Sequence, residues 1–84
     1  MEQEATRVAV MAILVTDRES VEALNALLHE YGRYILGRMG IPYESKNINI
    51  ITIAMDAPQD ITSAVTGKIG RLPGVTIKAV YSKA

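Results

Sequence analysis

Chemistry in this chain has to come from a narrow stock of side chains. There is one histidine, His29, and no cysteine. Without thiols there are no disulfides, thiolate metal sites, iron–sulfur ligands or cysteine nucleophiles. His29 reads in one of two ways: as a partly exposed helix residue favoured by the negative helix end, or as a ligand or metal contact. One histidine with scattered carboxylates falls far short of a metal motif within one chain, although symmetry could bring copies together. Ser20, Ser45, Ser63 and Ser82 lack the second histidine that a triad would draw on, which argues against a nucleophilic hydrolase. The densest glycine and basic stretch, Gly67-Lys68-Ile69-Gly70-Arg71-Leu72-Pro73-Gly74, lacks the spacing and the strand-to-helix setting of a phosphate loop. It falls at a helix C-terminus, where the dipole repels anions, and reads as a helix stop and turn. Gly37-Arg38-Met39-Gly40 reads as an edge irregularity, with Arg38 available to a carboxylate at a subunit seam.

The elements that must position these residues begin with Arg7–Val15, RVAVMAILV. Val8, Val10, Ala12 and Leu14 fall on one side of this strand and Ala9, Met11, Ile13 and Val15 on the other. A strand that is apolar on both sides belongs in the middle of a covered sheet. Thr16-Asp17-Arg18-Glu19 has the capping-box spacing, with Asp17 equally able to cap, and opens a helix over about Glu19–Tyr31, with Gly32 as terminator. Val21, Leu24, Leu27, Leu28 and Tyr31 form its apolar stripe. Tyr34–Ile41 predicts an edge strand with a bulge, ended by Pro42, and Tyr43–Asn47 a polar turn. Asn47–Met55, NINIITIAM, is a second strand apolar on both sides. Pro58 suits the first turn of a second helix that ends at Gly70. After a tight turn at Leu72-Pro73-Gly74, Val75, Ile77, Ala79 and Tyr81 alternate along a half-buried last strand.

The order β-α-β-β-α-β specifies an α+β, ferredoxin-like fold: a four-stranded antiparallel sheet with two helices on one face. Right-handed crossovers place the first and third strands centrally, and these are the two that are apolar on both sides. The helix-free face then carries about half of the central Val, Ile and Met side chains. Leaving five or six of them wet forgoes on the order of 1.5–3 kcal/mol each, and a patch of that size marks an interface. A homodimer, or a tetramer of dimers, is therefore expected.

Composition narrows the function classes. The chain is 49% hydrophobic with nine acids and nine bases, so no global field recruits nucleic acid or an anionic membrane. After Asp60 the sequence holds Lys68, Arg71, Lys78 and Lys83 and no acid, which reads as a solvated surface or a local anion-attracting patch. No apolar run reaches the roughly 18 residues of a membrane helix, and the acidic start reverses a secretory signal. We expect a single cytoplasmic domain over residues 1–84, with Met1–Thr6 as a flexible leader. Other uses of this fold leave marks that are missing here. A metallochaperone needs paired cysteines, RNA recognition needs aromatics on the third strand, and an acylphosphatase-like enzyme needs a glycine-rich anion cradle where this chain has TDRES.

The stretch DRESVEALNALLHEYGRYILGRMGIPY, followed by INIITIAMDAPQDITSAVTGKIGRLPGV, closely resembles the small iron-only hydrogenase system regulators. These are similar in turn to ACT domains and to the C-terminal domain of nickel-responsive repressors. The resemblance runs from about Arg7 to Ser82, and LLHEYG, GRMGIPY and TGKIGRLPGV are its most specific pieces. It implies a setting in [FeFe]-hydrogenase maturation or expression. Where amino-acid-binding ACT domains place a glycine at the first strand–helix turn, this chain has Asp17-Arg18. The histidines and cysteine of the repressors' nickel site are not matched, and six leading residues do not make the repressors' DNA-binding domain. The expectation is a non-enzymatic regulatory or sensory module without a cofactor. It would bind a small ligand at a subunit interface near Thr16–Ser20, through Asp17, Arg18, His29, Arg38 and Arg71. The other reading is an accessory that binds hydrogenase maturation proteins and no metabolite. Direct nucleic-acid or membrane binding is not expected.

Overall fold

The computed structural model describes residues Ala5–Lys83; the proposed leader therefore lies largely outside the described residues. Strand β1 (Arg7–Val15) leads into helix α1 (Ser20–Glu30), a short 3-10 turn (Gly32–Tyr34) and strand β2 (Ile35–Tyr43). A second 3-10 turn (Glu44–Lys46) precedes β3 (Ile48–Ala57), α2 (Gln59–Gly70) and β4 (Val75–Tyr81). The antiparallel sheet has the order β2-β3-β1-β4. The two strands apolar on both sides are the central ones, as their composition requires.

Alternation decides which side chains are sealed. Ala9, Met11, Ile13 and Val15 of β1 are buried, as are Ile51, Ile53, Met55 and Ala57 of β3. Both sets face Leu24 and Leu28 of α1 and Val65 and Ile69 of α2. The in-register pairs Met11–Ile53 and Ile13–Ile51 stack these residues into one layer, and inward Val75, Ile77, Ala79 and Tyr81 of β4 extend it. A slip of one residue would exchange the buried set for the exposed set, so the register is strongly fixed.

Several local expectations are corrected. Strand β2 runs through Pro42 to Tyr43; it is an edge strand with one side unpaired, where a proline need cost no ladder bond. The expected bulge falls between Ile35 and Gly37. Strand β3 continues past Met55 to Ala57. The capping box does not form: Glu19 is the N-cap residue without a side-chain cap bond, and the Asp17 carboxylate accepts from the Glu19 amide at 2.9 Å. Gly32 is not a left-handed stop, because Gly74 is the one described glycine with positive φ. Instead the chain leaves α1 through the 3-10 turn.

Candidate functional site

Three places could carry function: the β1–α1 turn, the groove between α1 and β2, and the helix-free face of the sheet.

The β1–α1 turn is fastened to the turn that enters β4. The Thr16 amide and hydroxyl both donate to the Gly74 carbonyl, at 2.8 and 3.0 Å. The hydroxyl of buried Ser20 donates to the Pro73 carbonyl at 2.6 Å. Within the turn, the Ser20 and Val21 amides donate to the carbonyls of Asp17 and Arg18. The fit is close enough that a Cβ on Gly74, whose φ is +69°, would lie 2.7 Å from the Asp17 Cβ. Three of the expected contact residues share this end of the domain. Asp17 caps the turn, and Arg71 is the C-cap residue of α2 immediately before the Leu72–Gly74 turn. Arg18 lines a small hollow with Tyr43, Glu44 and Asn47. Four of the turn's amides, those of Thr16, Glu19, Ser20 and Val21, are therefore spent on contacts within the chain.

His29 and Arg38 meet elsewhere. Cross-strand pairing sets Ile35, Arg38 and Gly40 opposite Met55, Ile53 and Ile51, all three buried under the helices. These β2 residues therefore lie on the helix side of the sheet. Gly40 has no side chain, and a Cβ there would meet nothing within 4 Å. The result is a trough. Val21, Asn25 and His29, four residues apart, line its α1 wall. One stretch, of about 460 Å³, is lined by Asn25, Leu28, His29, Gly32, Ile35 and Arg38. The other, of about 240 Å³, runs past Gly40 and Ile41. The Arg38 guanidinium bridges the trough, donating from Nη2 to the Asn25 Oδ1 at 3.2 Å. Among the described residues the ion pair found is Lys68–Glu30 at 3.8 Å, so Arg38 has no carboxylate partner there. Sequence reasoning picked out His29 and Arg38 separately but missed Asn25 and the open Gly40. The only available signal was the spacing of Asn25 one helical turn before His29.

Between α1 and α2, the exposed Lys68 Nζ donates to the Tyr31 hydroxyl at 2.7 Å and lies 5.1 Å from that ring's centroid. The hydroxyl and the nearby Glu30 hold the Lys68 ammonium above its ordinary titration range. Among the described residues no three His, Cys, Asp or Glu side chains gather to hold a metal ion. Among the described residues, no helix is long and apolar enough to cross a membrane.

The helix-free face is the largest feature. In register, Ile41–Ile50–Leu14, Met39–Thr52–Ala12–Lys78 and Ala54–Val10–Val80 form rows across it. Of the exposed large apolar side chains among the described residues, all but bulge residue Leu36 lie on this face: Val8, Val10, Leu14, Met39, Ile41, Tyr43 and Val80. Val80 is 71% exposed and Met39 58%. Tyr43, expected to start a polar turn, instead ends β2 and is part of this surface.

The profile of the family TM1266-like, described as a proposed iron-only hydrogenase system regulator, matches residues 7–79. Among solved structures, that of the uncharacterized protein TM1266 from Thermotoga maritima superposes with a TM-score of 0.88 at 35% identity. The match covers 93% of this chain and 99% of that one. No curated protein matches the chain.

Proposed function

The chain belongs to the TM1266-like family of iron-only hydrogenase system regulators, and from that premise we propose that it is a non-enzymatic regulatory module built as a homodimer. Its setting is the maturation or expression of [FeFe]-hydrogenase. The observation that carries this reading is the helix-free sheet face, on which seven large apolar side chains lie open in one continuous sheet surface. A patch of that kind supports burial against a second protein surface, and a second copy offers a matching one at every encounter. A small ligand would then act by favouring one quaternary arrangement over another, since a ligand shifts an equilibrium only by its differential affinity. Its contacts are drawn from Asp17, Arg18 and Arg71 at one end of the domain, or from His29 and Arg38 in the trough.

Sedimentation velocity at micromolar concentration tests the assembly, and native mass spectrometry separates dimer from tetramer. A thermal-shift screen with amino acids, nucleotides, S-adenosylmethionine and divalent metals tests the sensor, because a ligand that binds the folded state raises the melting point by mass action. A stable monomer overturns the reading. The same apolar face also suits a different protein, so silence in the screen together with capture of a hydrogenase maturase would instead support the accessory role.

A further inference from the structure

We propose that the trough between α1 and β2 is the binding site for a small organic anion. Its carboxylate or phosphate group would be held by Arg38 and His29, and its apolar part would lie on Leu28 and Ile35. The inference rests on the regulatory reading above and names the class of ligand that such a module would take.

Four observations converge. The Arg38 guanidinium is oriented by one hydrogen bond to the Asn25 amide oxygen. With five N–H donors, that leaves the planar fork able to grip an oxyanion in bidentate fashion. Among the described residues no carboxylate occupies it. Glu30, the nearest acid along the helix from His29, is drawn instead toward Lys68 on α2. His29 lines the same hollow, whose other walls include the apolar Leu28 and Ile35. A hollow of about 460 Å³ matches the size of small-molecule sites, which pair an apolar lining with a few polar groups. The negative end of α1 opposes an anion here. That effect is worth only a fraction of a full charge and is screened at the surface.

The site also has a route to the assembly. Along β2, Arg38 and Gly40 face the trough, while Met39 and Ile41 pair onto the helix-free face. A ligand that shifts β2 against α1 therefore moves side chains of the proposed junction through a single strand.

The test is an amide chemical-shift titration of the full chain, with inorganic phosphate in one arm and phenylacetate in the other. The expected result is shifts confined to Asn25, His29, Gly32, Arg38 and their neighbours, with affinity falling about tenfold or more in Arg38→Gln. The affinity should be unchanged in Lys46→Gln, which lies outside the trough. A preference for phenylacetate assigns carboxylate ligands and a preference for phosphate assigns phosphate ligands; either upholds the site. Absence of shifts up to about 20 mM of both probes, or an equal response in Arg38→Gln, overturns it. Sedimentation of the same samples separates the two readings. A dimer that ignores both anions refutes only this inference, and a monomer that binds them refutes only the proposed assembly.

Discussion

Replacing Val10 with aspartate is the sharpest test of the sheet-face junction. Val10 sits between Ala54 and Val80 in its row, with Val8 and Leu14 on the same side of its own strand. It is 43% exposed in the single chain. Burying a valine fully is worth about 1.5–3 kcal/mol, so covering its open part contributes about 1 kcal/mol per copy. An unpaired carboxylate forced against the partner's apolar surface costs about 2 kcal/mol more, at the modest end for buried polar groups. Two-fold symmetry doubles both effects, for about 6 kcal/mol in all, or roughly four decades in the dimer's dissociation constant. Sedimentation equilibrium should therefore find the proposed homodimer in the parent chain and a monomer in Val10→Asp. Circular dichroism should find the fold retained, because the substituted side chain points away from the core. A mutant that dimerises as tightly as the parent refutes the assignment of this face.

Three further outcomes follow from the described contacts. Gly74→Ala combines a left-handed residue with a Cβ 2.7 Å from that of Asp17, so it should lose about 2 kcal/mol or more in urea unfolding. Ser20→Ala removes the donor to the Pro73 carbonyl from a site only 3% exposed and should cost about 1–2 kcal/mol in the same assay. Tyr31→Phe should lower the Lys68 pKa toward the ordinary lysine value of 10.5, because the Tyr31 hydroxyl is the largest cause of its elevation; lysine side-chain NMR titration reads it. The sign is that of a raised base: the Lys68 contribution is fully present below the unfolded pKa and is lost as pH rises through the folded one.

The architecture was legible because the chain states it redundantly. Met11 and Ile13 in β1, and Ile51 and Ile53 in β3, repeat at period two on the buried face of their strands, and Leu24 and Leu28 recur at helical spacing between turn residues. Boundaries depended on neighbours that the local sequence does not name. Pro42 looked like a strand end, yet β2 is an edge on which proline is tolerated. Thr16 and Glu19 had the spacing of a capping box, but Thr16 is taken by Gly74, 58 residues away. The trough was harder still to read. It exists because Gly40 leaves a gap opposite α1 and because Arg38 reaches across to Asn25, two facts that become visible only once the bulge after Ile35 has set which side of β2 each residue occupies. His29 and Arg38 were suspected for their chemistry alone, and nothing in their spacing placed them in one hollow.

The fastening of Thr16 and Ser20 to Pro73 and Gly74 has a consequence for how the molecule comes into being. Its first strand cannot gain its outer neighbour, nor its first helix a finished start, until the closing segment of the chain arrives. Contacts this distant in sequence slow folding, since the loop entropy is spent before the reward is collected. A polypeptide emerging from a ribosome would thus hold β1 open along one edge, even after β3 had paired with the other, until Val75–Tyr81 had been made. Truncation before Val75 should leave a species that clumps instead of a smaller version of the native domain.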